Sequence, residues 1–96
     1  MTHEFFNQLV QALRSGEYTQ CLKTIENLKG DNCVIGVVSR LHSPDRLALY
    51  SIAEKVIRDE NRENELITIH DSIPKPDNFT TIIAALESEP EYWINE

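Results

Sequence analysis

The chain has 96 residues, 41% of them hydrophobic and 26% charged, which is the make-up of one ordinary globular domain. A domain of this size buries roughly 60–70% of its unfolded surface, enough for one modest core and too little for a deep, enclosed active site. The net charge of −7 is unevenly spread: residues 1–58 hold seven Lys/Arg against six Asp/Glu, and residues 59–96 hold two against ten. Direct binding to DNA, RNA or an anionic membrane needs clustered cations, and no such cluster is present. A basic protein partner would be attracted to the acidic second half.

The opening Met1-Thr2-His3-Glu4-Phe5-Phe6 lacks the basic stretch and apolar core of a signal peptide. The longest apolar run, Cys33–Val38, is far shorter than the roughly 20 residues that span a bilayer. A cytoplasmic location is expected, with Cys21 and Cys33 as free thiols.

In chain order, Phe5, Leu9, Ala12 and Leu13 share one helical face. Thr2 is the predicted N-cap, and Ser15-Gly16 the stop. Over Glu17–Lys29, the spacing of Tyr18, Cys21, Leu22, Ile25 and Leu28 predicts a second helix ended by Gly30. Cys33–Val38 is ambiguous: its β-branched residues favour a strand, while Leu41 continues a helical face. Ser43-Pro44-Asp45 opens the clearest predicted helix, which runs to about Asp59 with Leu49, Ile52, Ala53, Val56 and Ile57 on its stripe. The polar run Asp59–Glu65 reads as a connector, a loop or a frayed helix end, and Leu66–Ile69 as either a strand or one helical turn. Pro74 and Pro76 impose an extended path, and Asp77 or Asn78 caps a last helix carrying Phe79, Ile82, Ile83 and Leu86. The expected fold is all-α, with four or five short helices over residues 1–89 and an acidic, aromatic tail over 90–96. The alternative is a small α/β unit with strands near 33–39 and 65–70.

Three stretches, Ala12–Gln20 (ALRSGEYTQ), Cys33–Leu41 (CVIGVVSRL) and Ile69–Ser72 followed by Phe79–Leu86, resemble a group of short phage and bacterial helical proteins. That group carries an ALRSGxYxQ-like opening, a C-x-x-G-V helix and a late N-D followed by an amphipathic helix. The resemblance implies a mainly helical fold with no assigned activity, and it favours a helix over Cys33–Leu41. Here His70 stands where that pattern has Asn, and a periodic helical segment stands where it has a Gly-rich stretch.

Chemistry-bearing residues are few. Cys21, Cys33, His42 and His70 are separated by eleven, eight and twenty-seven residues, which matches no zinc pattern; His3 adds no pair. No metal or cofactor site is expected, and three glycines leave little for a phosphate-binding loop. Cys33 lies in the most apolar run, where a buried thiol is inert. His70-Asp71 sits beside the proline-shaped loop, either as an acid–base pair or, more simply, with Asp71 accepting local backbone N–H groups at the turn into Ser72. In the tail, Tyr92 and Trp93 beside Glu87, Glu89 and Glu91 have the make-up of an interface anchor, while folding of Trp93 back onto the core is the competing reading.

The expected function is that of a small, non-enzymatic protein binding a protein partner, an accessory or host-modulating protein of phage or prophage origin given the resemblance. Two alternatives are a nucleic-acid mimic occupying a DNA- or RNA-binding groove, and a hydrolytic or thiol enzyme using Cys33, His70 and Asp71. A homodimer is compatible with the short amphipathic helices.

Overall fold

In the computed structural model, residues 1–24, 29–42, 53 and 55–95 are described. The fold is all-α, and no strand occurs among the described residues. Helix α1, His3–Ser15, starts where Thr2 Oγ1 accepts the Phe5 N–H at 3.1 Å and stops at Gly16, whose φ of 81° is left-handed. It buries Phe6, Leu9, Val10 and Leu13.

The helix expected over Glu17–Lys29 is not formed in its described part. Residues 19–21 instead run parallel to Asn32: the Cys21 N–H donates to Asn32 O at 3.0 Å, and the Asn32 N–H donates to Thr19 O at 2.8 Å. Lys23 has a φ of 65°, a conformation that no right-handed helix contains. Gln20, a polar residue on the predicted outer face, is buried. Its partners lie some fifty residues ahead, so tertiary contacts override the local period. Ile25 and Leu28 lie outside the described residues.

Helix α2, Val34–His42, settles the ambiguous run as helix. Val34, Ile35, Val37 and Val38 are all fully buried, and a helix apolar on every side is a helix surrounded by protein. Most of the helix predicted from Pro44 lies outside the described residues. Ala53 and residues 55–57 are helical, and Ala53 and Ile57 face the core as their spacing predicts.

Asp59–Glu65 is not a connector. Asp59 is an N-cap whose Oδ1 accepts the N–H groups of Asn61 and Arg62 at 2.9 and 3.1 Å, and α3 spans Glu60–Asp71. Its buried face is narrow, made by Glu63, Leu66 and His70, which is why its first turns contain no apolar residue. Helix α4, Thr80–Ser88, has left-handed Phe79 rather than Asp77 or Asn78 at its N-cap, while just ahead of it Asp77 Oδ2 accepts from the Thr81 N–H and hydroxyl at 3.0 and 2.5 Å. Helix α5, Pro90–Trp93, is a single turn.

The helices pack in a closed order, with α1 on α2, α2 on α3, α3 on α4 and α4 back on α1, while α5 leans on α4. Residues 90–95, expected as a tail, are part of this globule. Trp93 belongs to the core, the Asn95 N–H donates to Met1 O at 2.9 Å, and Asn95 Nδ2 donates to Ile57 O at 3.1 Å. Met1 is itself fully buried, and its amino group donates to Ile57 O, Trp93 O and Asn95 Oδ1. Among the described residues, no helix is long and apolar enough to cross a membrane.

Candidate functional site

His70 and Asp71 end α3, and their geometry follows from Gln20. The Gln20 Oε1 atom accepts two backbone N–H groups, from Asp77 at 2.7 Å and Phe79 at 3.0 Å. That fixes the orientation of the amide, so its Nε2 donates to His70 Nε2 at 3.0 Å. The His70 proton then sits on Nδ1 and is donated to Asp71 Oδ1 at 2.7 Å. Asp71 Oδ1 also accepts the Lys23 N–H at 3.1 Å. The local turn expected at Asp71 is therefore replaced by a long-range bond, while the turn hydroxyl, Ser72 Oγ, donates to Ile69 O. The His70 side chain has no exposed surface, and it stacks at a tilt 5.9 Å from the Phe79 ring. Both ring nitrogens are engaged with protein, so this His–Asp pair positions a corner of the fold. Sequence reasoning singled out His70 and Asp71 but missed Gln20; the available signal was its place at the end of the Tyr18-Thr19-Gln20 motif.

The corner that Gln20 holds is strained. Asn78 and Phe79 have φ values of 57° and 64°, and a left-handed conformation costs a residue with a side chain roughly 1–2 kcal/mol. Burial of the Phe79 ring and the two bonds to Gln20 offset that cost.

Outside this corner lies an open groove of about 680 Å³ between the end of α1 and α4. Leu13, Phe79 and Ile83 form its apolar floor, and Arg14 and Glu87 stand on its rim. Arg14 and Glu87 meet in a two-pronged ion pair, Nη1 to Oε2 at 2.8 Å and Nη2 to Oε1. A second groove of about 550 Å³, bordered by Phe6, Asn7 and Val10, shares the same two residues. The ion pair is thus a ridge between two shallow depressions. Both side chains are about half exposed, so the pair adds at most about 1 kcal/mol of stability.

The aromatic residues of the last turn divide sharply. Trp93 is 3% exposed and its Nε1 donates to Ala85 O at 3.3 Å, so its place is the core. Tyr92 is exposed; its ring meets Trp93 edge-on at 4.8 Å, and the Arg62 guanidinium lies 4.6 Å from its centroid. Its hydroxyl donates to Glu65, and that bond to a carboxylate pushes the phenol above its ordinary pKa. Glu89 and Glu91 are exposed beside it.

Both cysteines are buried thiols. Burial pushes the Cys33 thiol up to about 11, the fields of Asp71 and Cys21 adding to the rise against backbone hydrogen bonds that lower it. Cys21 Sγ donates to Asp31 O at 3.3 Å and Thr24 O at 3.5 Å. Among the described residues, no group of three His, Cys, Asp or Glu side chains could hold a metal.

No curated protein and no solved structure matches this chain. One family model does match, over residues 1–78, a stretch that takes in Gln20, His70, Asp71 and Asp77 and stops just short of Phe79. The chain belongs to the family described as a domain of unknown function, DUF8296.

Proposed function

We propose that this protein is a small, non-enzymatic binding module whose grooved face on α1 and α4 receives a basic segment of a protein partner. The observation that carries the reading is the Arg14–Glu87 ridge between two open grooves, followed in the chain by exposed Glu89 and Glu91. Half-buried Tyr18 and exposed Ala84 in the first groove supply contact area, and the acidic excess of residues 59–96 supplies steering. The non-enzymatic part rests on the sealed ring of His70 and the raised thiol of Cys33. On the resemblance to phage and bacterial proteins, the proposed setting is an accessory role in the cytoplasm.

The test is selection from a peptide library on the full chain, with Ala84→Arg as the variant. Ala84 is exposed on the groove wall, so the substitution fills the groove without touching the core. Enrichment of Lys/Arg-containing segments that bind at least about tenfold more weakly to the variant, a loss of about 1.4 kcal/mol, supports the reading. Enrichment of neutral or acidic segments, or equal binding to both chains, overturns it. Competition with DNA for a captured DNA-binding protein would instead favour the mimic, and a concentration-dependent dimer disrupted by Ala84→Arg would assign the grooves to a second copy.

A further inference from the structure

Glu87 lies in the last turn of α4, where the free carbonyls of a helix carry partial negative charge and favour a cation over a carboxylate. That turn contains no basic residue, and residues 76–96 hold five Asp/Glu and no Lys or Arg. The cation that answers Glu87 is therefore borrowed from α1. Arg14 grips the carboxylate with both terminal nitrogens, Nη1 to Oε2 at 2.8 Å and Nη2 to Oε1, so Glu87 stands in the orientation that a planar guanidinium needs. Arg14 is nevertheless 54% exposed and Glu87 42%; water and salt screen the pair, and little free energy holds it closed. Both residues border each of the two grooves, which sets the fork between the depressions rather than at the edge of the grooved face.

We propose that Glu87 is an arginine-recognition site that Arg14 occupies in the free protein: an arginine of the partner segment takes over the two-pronged contact, and Arg14 turns out into solvent. The proposal rests on the grooved face being the docking surface, and it names the residue that face selects. Like is exchanged for like, so Glu87 keeps a guanidinium throughout, and the displaced Arg14, already half exposed, is hydrated at little cost. With Arg14 withdrawn, the ridge loses one of its two sides. The depression holding Tyr18 and Ala84 then opens toward the one bordered by exposed Asn7 and Gln11. A single trench receives an extended segment with its arginine at the middle, apolar contacts to one side and amide contacts to the other. Lysine is a poorer occupant, because its ammonium is a point charge that cannot reproduce the parallel pair of bonds.

The experiment selects two peptide libraries on the full chain, alike except that the fixed central residue is Arg in one and Lys in the other. The best Arg peptide and its Lys counterpart are then titrated by NMR against the parent, Arg14→Ala, Glu87→Gln and Ala84→Arg, with urea midpoints confirming that each variant is folded. The Arg peptide should bind the parent at least about tenfold more tightly than its Lys counterpart, the worth of one charge-assisted hydrogen bond, and Glu87→Gln should abolish that preference. Arg14→Ala should bind the Arg peptide up to about fivefold more tightly than the parent does, because the internal competitor is gone. A merely structural ion pair predicts no such gain. Equal or weaker binding to Arg14→Ala, or a Lys counterpart that binds as well as the Arg peptide, overturns the proposal. If either result comes with an about tenfold loss in Ala84→Arg, the grooved face still stands as a docking surface and only the arginine site falls; absence of binding by every peptide removes both.

Discussion

At its C-terminal end α3 is fastened by His70, Asp71 and Gln20; at its N-terminal end by Asp59, Arg62, Glu65 and Tyr92. The two joints use similar parts, a carboxylate, a nitrogen-bearing side chain and an aromatic ring, in opposite surroundings. The His70 side chain has no exposed surface, while Arg62 and Asp59 each keep nearly a third of theirs in solvent. In the buried joint every polar atom must be answered by protein, and leaving one unanswered costs its full desolvation. In the exposed joint water replaces whatever is removed, and salt screens the rest. Similar residue types therefore carry different weight, and substitutions separate the two.

The largest effect is expected just beneath the exposed joint. Trp93→Ala removes a core side chain and should lower unfolding stability by about 4 kcal/mol, read as the urea midpoint. A loss below about 1 kcal/mol would return Trp93 to the surface. Gln20→Ala leaves two backbone N–H groups and the His70 Nε2 acceptor without their partner, and about 3 kcal/mol should be lost. If the loss were no larger than that of a typical surface substitution, water would be reaching the joint and the contrast between the two ends would fail.

Acid acts on the carboxylates that open two helices, the Asp59 cap and Asp77. A hydrogen bond from the Arg62 backbone N–H, helped by the Arg62 side chain, holds the Asp59 carboxyl below its ordinary value. For Asp77 burial pulls upward, but the hydroxyl and N–H of Thr81 outweigh it and the carboxyl is again lowered. Both groups titrate lower folded than unfolded, so their stabilisation is complete above the ordinary value of 3.8 and lost as pH falls through the folded values. Urea midpoints at about pH 5 and about pH 2.5 should differ less in Asp59→Asn and Asp77→Asn than in the parent chain. The smallest effect belongs to Tyr92→Phe, whose stability should match the parent. Glu65→Gln should instead return the Tyr92 phenol toward its ordinary value of 10.0 in an NMR titration. An unmoved phenol would remove Glu65 from the joint.

Much of this architecture was legible from local chemistry. Thr2, Gly16 and the apolar spacing between them define α1 without help, and the resemblance favoured helix for the run that becomes α2. Among the readings that failed, two did so at polar residues. The apolar period over residues 17–29 is genuine, but it cannot register that Gln20 has partners at 70, 77 and 79. Asp59–Glu65 looked like a connector because a helix burying only a narrow face needs no apolar residue in its first turns. At the candidate site, His70 and Asp71 stood out as titratable types near a loop, whereas the residue that organises them is an uncharged amide. The ridge of Arg14 and Glu87 joins α1 to α4 across 73 residues, a pairing that no local pattern encodes.

The bonds from Gln20 to Asp77 and Phe79 join residues 57 and 59 positions apart. Closing so long a stretch of chain costs entropy before any bond is gained, and contacts of high sequence separation slow the search for the native state. The short hydrogen-bonded turns of α1 and α3 form from neighbouring residues and need no such closure. A helical protein of this length would ordinarily fold among the fastest of domains; this one must also bring its first quarter onto its last before the left-handed pair at Asn78 and Phe79 is secured.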